Sequence, residues 1–252
     1  MKVIGIIPAR YASTRFPGKP LAMLGGLHII ERVYRQVQGT LDRVVVATDD
    51  NRIAEAVIAF GGDVIMTSTE HRSGTDRVME AYTKVGEEFD VIVNIQGDEP
   101  FIQPEQLQTV CRCFEDESVD IATLVKPFAP EDGWQTLDNP NSPKVVVDKH
   151  MHALYFSRSV IPYFRGVAER NEWLKKHTYY KHIGLYAYRS DVLKEITSLP
   201  QSSLELAESL EQLRWLENGY TIKVGTTNIE TIGIDTPEDL AKAELYLKSK
   251  GV

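Results

Sequence analysis

The 252-residue chain is poor in cysteine, and the two it has, Cys111 and Cys113, stand two apart in a helical stretch and point to different faces. A disulfide framework and a cysteine-rich metal site are excluded, and a reducing compartment fits. Long apolar runs are missing too. The opening Met1-Lys2-Val3-Ile4-Gly5-Ile6-Ile7 is cut short by Pro8 and Arg10, and nothing nears the roughly 18 to 20 residues of a membrane span. Neither a secretory signal nor a membrane partner is expected, and the chain reads as a soluble cytoplasmic protein. Basic charge is in deficit, with 28 Lys and Arg against 36 Asp and Glu for a net −8, which argues against a nucleic-acid partner. Acid, in turn, is absent from residues 1 to 30, which hold Lys2, Arg10, Arg15 and Lys19, so the other 222 residues carry 24 basic and 36 acidic groups.

Short β-branched runs alternate with helical patterns through the first half. Strands are expected at Val3 to Ile7, Val44 to Val46, Val64-Ile65, 91 to 95 and Ile121 to Val125. Between them lie helices carrying Ile29-Ile30-Val33-Val37, Ile53 to Phe60, Thr75 to Val85 and Glu105 to Phe114. This is the βαβ grammar of a mostly parallel open sheet, a Rossmann-like α/β fold. From about 127 to 189 the pattern changes to an antiparallel excursion. A Pro- and Asn-rich loop leads to a hairpin of Lys144 to Asp148 and Ala153 to Phe156, then a polar stretch at 165 to 178 expected as a mobile loop or short helix, then a strand at 183 to 188. Helices follow at about 190 to 197, 204 to 218 and 237 to 249. With no linker or repeat in evidence, residues 1 to 252 read as a single domain.

In open α/β sheets ligands bind beyond the carboxyl ends of the strands. The first strand runs into Pro8-Ala9-Arg10-Tyr11-Ala12-Ser13-Thr14-Arg15-Phe16-Pro17-Gly18-Lys19-Pro20. Three cations, two hydroxyls and a glycine there suit a polyphosphate, although neither GxGxxG nor GxxxxGK[ST] is present. A solvated basic loop is the plainer alternative. The strand at 91 to 95 ends in Gln96-Gly97-Asp98-Glu99-Pro100, where Asp98 is placed either to hold Mg²⁺ or to close a turn. In Gly233-Ile234-Asp235-Thr236-Pro237-Glu238-Asp239-Leu240, capping explains Thr236, Pro237 and the acids after them, and leaves Asp235 over as a second carboxylate that can meet Asp98. Ser73-Gly74-Thr75-Asp76-Arg77 reads as a helix start with Thr75 as N-cap, or as a contact to a base and ribose. His182 and Tyr186 share one strand face, and Glu211 lies on an apolar-faced helix. By spacing alone either pair of readings, pocket wall or ordinary packing, stays open.

Taken together, PARYASTRFPGKP, SGTDR, QGDEPFI, LYFSRSVIP at 154 to 162, HIGLYAYR at 182 to 189, LEQLR at 210 to 214 and GIDTPEDL at 233 to 240 resemble the 3-deoxy-manno-octulosonate cytidylyltransferases, in order and across essentially the whole chain. The resemblance implies a nucleotidyltransferase that activates the sugar acid Kdo with CTP and Mg²⁺, usually a homodimer joined through the antiparallel excursion. It implies that Arg10, Ser13, Lys19, Ser73 and Arg77 contact CTP, with Arg15 and Lys19 near its phosphates. Asp98 and Asp235 would hold Mg²⁺, while Gln96, Arg158, His182, Tyr186 and Glu211 would line the sugar pocket. Arg158, with His182 beside it, would supply the cation for the sugar carboxylate. Pro143, Ser203 and the segment from Tyr163 to Lys176 depart from the family pattern. Rival readings are a cytidylyltransferase for an 8-amino relative of Kdo or a sialic acid, a regulatory nucleotide-binding module, and a dinucleotide-dependent oxidoreductase. The missing glycine fingerprint disfavours the last.

Overall fold

The computed structural model describes residues 1–71, 73–230 and 232–250. Along the chain the elements are β1 (Val3–Ala9), β2 (Met23–Leu24), β3 (Leu27–His28), α1 (Ile29–Val37), β4 (Arg43–Thr48), α2 (Asn51–Ala59), β5 (Val64–Met66), α3 (Gly74–Val85), β6 (Val91–Asn94) and α4 (Pro104–Arg112). After these come β7 (Ile121–Pro127), α5 (Gly133–Leu137), β8 (Lys144–Val147), β9 (Ala153–Ser157), α6 (Trp173–Lys176), β10 (Tyr180–Arg189), α7 (Ser190–Ile196), α8 (Ser203–Glu208), α9 (Gln212–Glu217), β11 (Ile222–Thr226) and α10 (Pro237–Ser249). They fall into two compact units, one of Met1–Gln108, Arg189–Thr197 and Thr231–Val252, the other of Thr109–Tyr188 and Ser198–Glu230. The excursion expected at about 127 to 189 lies almost wholly in the second unit, which is larger than that stretch.

In the first unit β6, β1, β4 and β5 run side by side, all parallel. Ile4, Ile6 and Ile7 of β1, Val45 and Val46 of β4 and Ile92 and Val93 of β6 are fully buried, as strands covered on both faces must be. Helix α1 turns Ile29, Ile30, Val33 and Val37 to the core, the stripe its spacing predicts. Because the strands are parallel, β1, β4 and β6 end at one common edge. The segments after Ala9, Thr48 and Asn94 therefore gather there.

The second unit is the antiparallel one. β10 pairs antiparallel with β7 and β8, β8 with β9, and β11 lies parallel to β7. Of the two forms expected for 165 to 178 the short helix is the one found, as α6: Trp173 and Leu174 are buried with Phe128, Leu137 and Tyr179, and the Trp173 indole N–H donates to the Val167 carbonyl at 3.0 Å. Two apolar residues in a polar run suffice to pin it. The single helix expected over 204 to 218 is broken into α8 and α9, because Ser209 takes a left-handed conformation with φ of 52°. Strand β11 was not anticipated, since Ile222 and Val224 give only two inward positions around Lys223 and a glycine.

Candidate active site

A cavity of about 270 Å³ opens at the carboxyl edge of the first unit's sheet. Nine residues singled out by the sequence line it together: Arg10, Ser13, Arg15 and Lys19 from the loop after β1, Ser73 and Arg77 at the start of α3, Gln96 and Asp98 after β6, and Asp235 before α10. The other four, Arg158, His182, Tyr186 and Glu211, belong to the second unit.

Local backbone chemistry places the charges. Gly18 sits at φ of 71°, a left-handed conformation that suits glycine, and its N–H donates to the Tyr11 carbonyl at 2.9 Å. That closes the basic loop and starts a short 3₁₀ turn at Lys19. On the facing side, a Cβ added to Gly97 would stand 2.8 Å from the Pro8 carbonyl oxygen, so only glycine lets the turn after β6 come this close to the end of β1. Asp98 is thereby held against the basic loop, and its carbonyl accepts from the Ile234 N–H at 2.9 Å, tying in the segment that carries Asp235. Thr236 caps α10 and Asp239 answers it in a reciprocal capping box, as the sequence predicts for Thr236.

The two carboxylates converge on one point. The Lys19 ammonium donates to Asp98 Oδ2 at 2.6 Å and to Asp235 Oδ1 at 3.2 Å, and Arg15 reaches the same Asp235 oxygen at 3.2 Å. Lys19 is the least exposed of the three bonded groups, at 15% against 30% for Asp98 and 48% for Asp235. Mg²⁺ takes hard oxygen donors, often one or two carboxylates with substrate phosphates completing the shell. Asp98 and Asp235 fit that requirement, since both already direct an oxygen at a single cation. Among the described residues no group of three or more His, Cys, Asp or Glu side chains is arranged to hold a metal ion.

At α3 the N-cap is Ser73 and not Thr75. Its hydroxyl accepts from the Asp76 N–H at 3.1 Å while Asp76 accepts in return from the Ser73 N–H. Gly74 can open the helix, which moves the cap two residues earlier. Arg77 is buried and paired, donating to Asp49 Oδ2 at 2.8 Å and Thr67 Oγ1 at 2.5 Å. Asp49 escaped notice in the sequence although it directly follows β4, where the strand-end rule applies as it does to Asp98. His71 also lines the cavity and bonds Glu80. No spacing signal marks it. Glu80 is held down at about 2: burial opposes its charge, but bonds from Lys84, Ser68 and His71 outweigh that cost.

In the second unit Arg158 spends three nitrogens on carbonyls, those of Glu208 at 2.6 Å, Pro140 at 2.9 Å and Ser209 at 3.2 Å. Carbonyls fix the guanidinium without cancelling its charge. The Glu208 carboxylate is no idle surface acid, for it accepts from the Ser157 hydroxyl at 2.6 Å and the Arg158 N–H at 2.9 Å. The fully buried Lys144 ammonium donates to the Arg158 and Asn139 carbonyls. His182 is within 3.0 Å of the Thr123 hydroxyl and stands between the Phe156 and Tyr186 rings. Burial pushes its pKa down to about 4, so the ring is neutral at pH 7 and does not serve as a second cation beside Arg158. Burial drives the Tyr186 phenol well up, so it stays protonated. Glu211 accepts from Arg214 at 2.8 Å.

Comparison with known proteins gives a consistent picture. A family model described as cytidylyltransferase matches residues 4–227. A 3-deoxy-manno-octulosonate cytidylyltransferase of Phocaeicola vulgatus is 73% identical over 250 residues, covering 99% of both chains. One from Porphyromonas gingivalis is 57% identical, over 100% of this chain and 98% of the relative. A solved structure described as CMP:2-keto-3-deoxy-manno-octonic acid synthetase complexed with CTP superposes with a TM-score of 0.89 at 42% identity, covering 99% of this chain and 100% of that one. A 4-diphosphocytidyl-2C-methyl-D-erythritol synthase from Anaerococcus prevotii shares the fold alone, with a TM-score of 0.60 at 14% identity over 98% of this chain and 96% of that one.

Proposed function

The chain belongs to the cytidylyltransferase family, and we propose that it transfers CMP from CTP to the anomeric hydroxyl of 3-deoxy-D-manno-octulosonate, giving CMP-Kdo and pyrophosphate in the presence of Mg²⁺ and so activating Kdo for lipopolysaccharide synthesis. The observation that carries the reading is the meeting of Asp98 and Asp235 on the Lys19 ammonium, inside a cavity walled by a loop with no acid of its own. The relatives, alike over their full length, support the choice of nucleotide and sugar acid.

In this reaction the anomeric oxygen attacks the α-phosphorus and gives up its proton to solvent, a new P–O bond forms, and the bond to the bridging oxygen breaks with its electron pair leaving on pyrophosphate. Such chemistry is mainly positioning and charge neutralisation. Asp98 and Asp235 would hold Mg²⁺, which would supply Lewis acidity towards the phosphoryl oxygens and the attacking hydroxyl. Arg15 and Lys19 neutralise the departing pyrophosphate. Arg10, Ser13, Ser73 and Arg77 hold CTP. Arg77 is already fixed by Asp49 and Thr67, and its guanidinium has five N–H donors, more than those two contacts use. For the sugar acid, Arg158 offers its uncancelled charge to the carboxylate, the neutral His182, Gln96 and Tyr186 offer hydrogen bonds, and Glu211 accepts from hydroxyls. The same reading makes the protein a cytoplasmic homodimer. No described helix is long and apolar enough to cross a membrane.

Asp98→Asn tests the assignment. It folds and still binds some CTP, while pyrophosphate release falls by at least about 10²-fold, the scale on which misplaced reacting groups are felt. Activity close to wild type removes Asp98 from the reaction.

A further inference from the structure

Lys19 occupies the point that the reading above gives to the metal. Its ammonium bonds Asp98 at 2.6 Å and Asp235 at 3.2 Å, and with Arg15 on Asp235 two positive charges answer two negative ones. The main chain that carries the two carboxylates is fixed whichever cation sits between them, because the Asp98 carbonyl accepts from the Ile234 N–H and the Asp235 N–H donates to Asp239 Oδ2 at 3.3 Å. The Lys19 backbone is fixed as well, with its N–H on the Phe16 carbonyl at 3.2 Å. The four-carbon Lys19 stem can swing while that backbone stays in place.

We propose that Lys19 is an internal counter-ion: it bars free divalent metal from the Asp98 and Asp235 pair, and yields the pair only when a polyphosphate arrives to take over its charge. An ammonium and a divalent ion cannot share the same carboxylate oxygens without an anion between them. CTP brings that anion, and the strand-end loop puts Lys19 within the same cavity. Metal and nucleotide then enter as one unit, and Lys19 passes from the carboxylates to the phosphates. The inference rests on Asp98 and Asp235 being the metal-holding residues.

Mn²⁺ alone, followed by electron paramagnetic resonance in the absence of nucleotide, is the probe. Wild type binds it weakly. Lys19→Met, with the competing charge removed, binds it at least about tenfold more tightly, because apparent affinity is reduced by the fraction of protein in the competent state. Lys19→Gln, of similar length and neutral, does the same and serves where the methionine variant fails to fold. A purely structural lysine would not raise metal affinity when lost. Adding Asp98→Asn to either variant abolishes the gain. Lysine variants that bind Mn²⁺ no better than wild type, in a protein where Asp98→Asn still removes Mn²⁺ bound together with CTP, overturn the counter-ion role and leave the metal assignment standing. Binding with CTP that is indifferent to Asp98→Asn overturns both.

Discussion

Gly97→Ala is a one-carbon change whose consequence can be worked from the structure. The added Cβ would sit 2.8 Å from the Pro8 carbonyl oxygen, where ordinary contact begins at 3.4 Å, so about 0.6 Å must be found. Pro8 cannot yield easily, because β1 is pinned on one side by β4, with Pro8 opposite Ala47, and on the other by β6. The Gln96 to Asp98 turn moves instead, and with it the 2.6 Å contact to Lys19. Overpacking of this kind costs about 1 to 3 kcal/mol, and at about 2 to 4 °C per kcal/mol for a chain of this size the melting temperature falls by roughly 2 to 12 °C. Activity suffers more, since a shift approaching 1 Å at a reacting group costs up to about 10²-fold. Differential scanning fluorimetry and pyrophosphate release on the same preparation read both effects. A variant with wild-type melting and wild-type turnover would refute the claim that Gly97 sets the position of Asp98.

Two further outcomes follow from burial. Arg77→Met strands the Asp49 carboxylate and lowers stability by about 3 kcal/mol, the low end for a broken buried pair because Asp49 keeps some exposure; urea denaturation reads this, Asp49→Asn in the same background restores part of it, and a loss below about 1 kcal/mol counts against a buried pair. His182 titrates at about 4 when folded against 6.5 in its ordinary state, so the unfolded chain takes up the proton first, and stability is full above about pH 6.5 and is lost as pH falls towards 4. The loss is on the order of 3 kcal/mol at 1.36 kcal/mol per pKa unit; His182→Gln flattens that limb of the urea stability profile, and an unchanged slope would mean the ring is not desolvated.

Much of the site was legible because it follows strand ends. Arg10 to Lys19, Gln96-Asp98 and Ser73-Arg77 all attach to elements with strong apolar patterns, and Asp235 stood out as the acid that capping did not explain. What escaped notice depended on partners distant in sequence. Asp49 gains its meaning only from Arg77, and Glu208 only from Ser157 and Arg158. The break at Ser209 left no mark in the sequence, for serine has no preference for positive φ. Its carbonyl, with that of Glu208, is bound by Arg158, so the break is sustained by tertiary bonds and not by local propensity. At α6 the sequence left a loop and a short helix open, because charged side chains dominate the stretch around it while Trp173 and Leu174 decide the packing.

The central claim is that the acid-free loop and the two carboxylates activate Kdo with CTP. The most direct measurement is pyrophosphate release in Mg²⁺ with each of CTP, ATP, GTP and UTP against Kdo, 8-amino-Kdo and a sialic acid, with the nucleotide-sugar product identified by mass. The account predicts turnover with CTP and Kdo, formation of CMP-Kdo, and loss of turnover when Mg²⁺ is chelated. Equal turnover with another nucleotide, preference for a sialic acid, or undiminished release without divalent metal would contradict it.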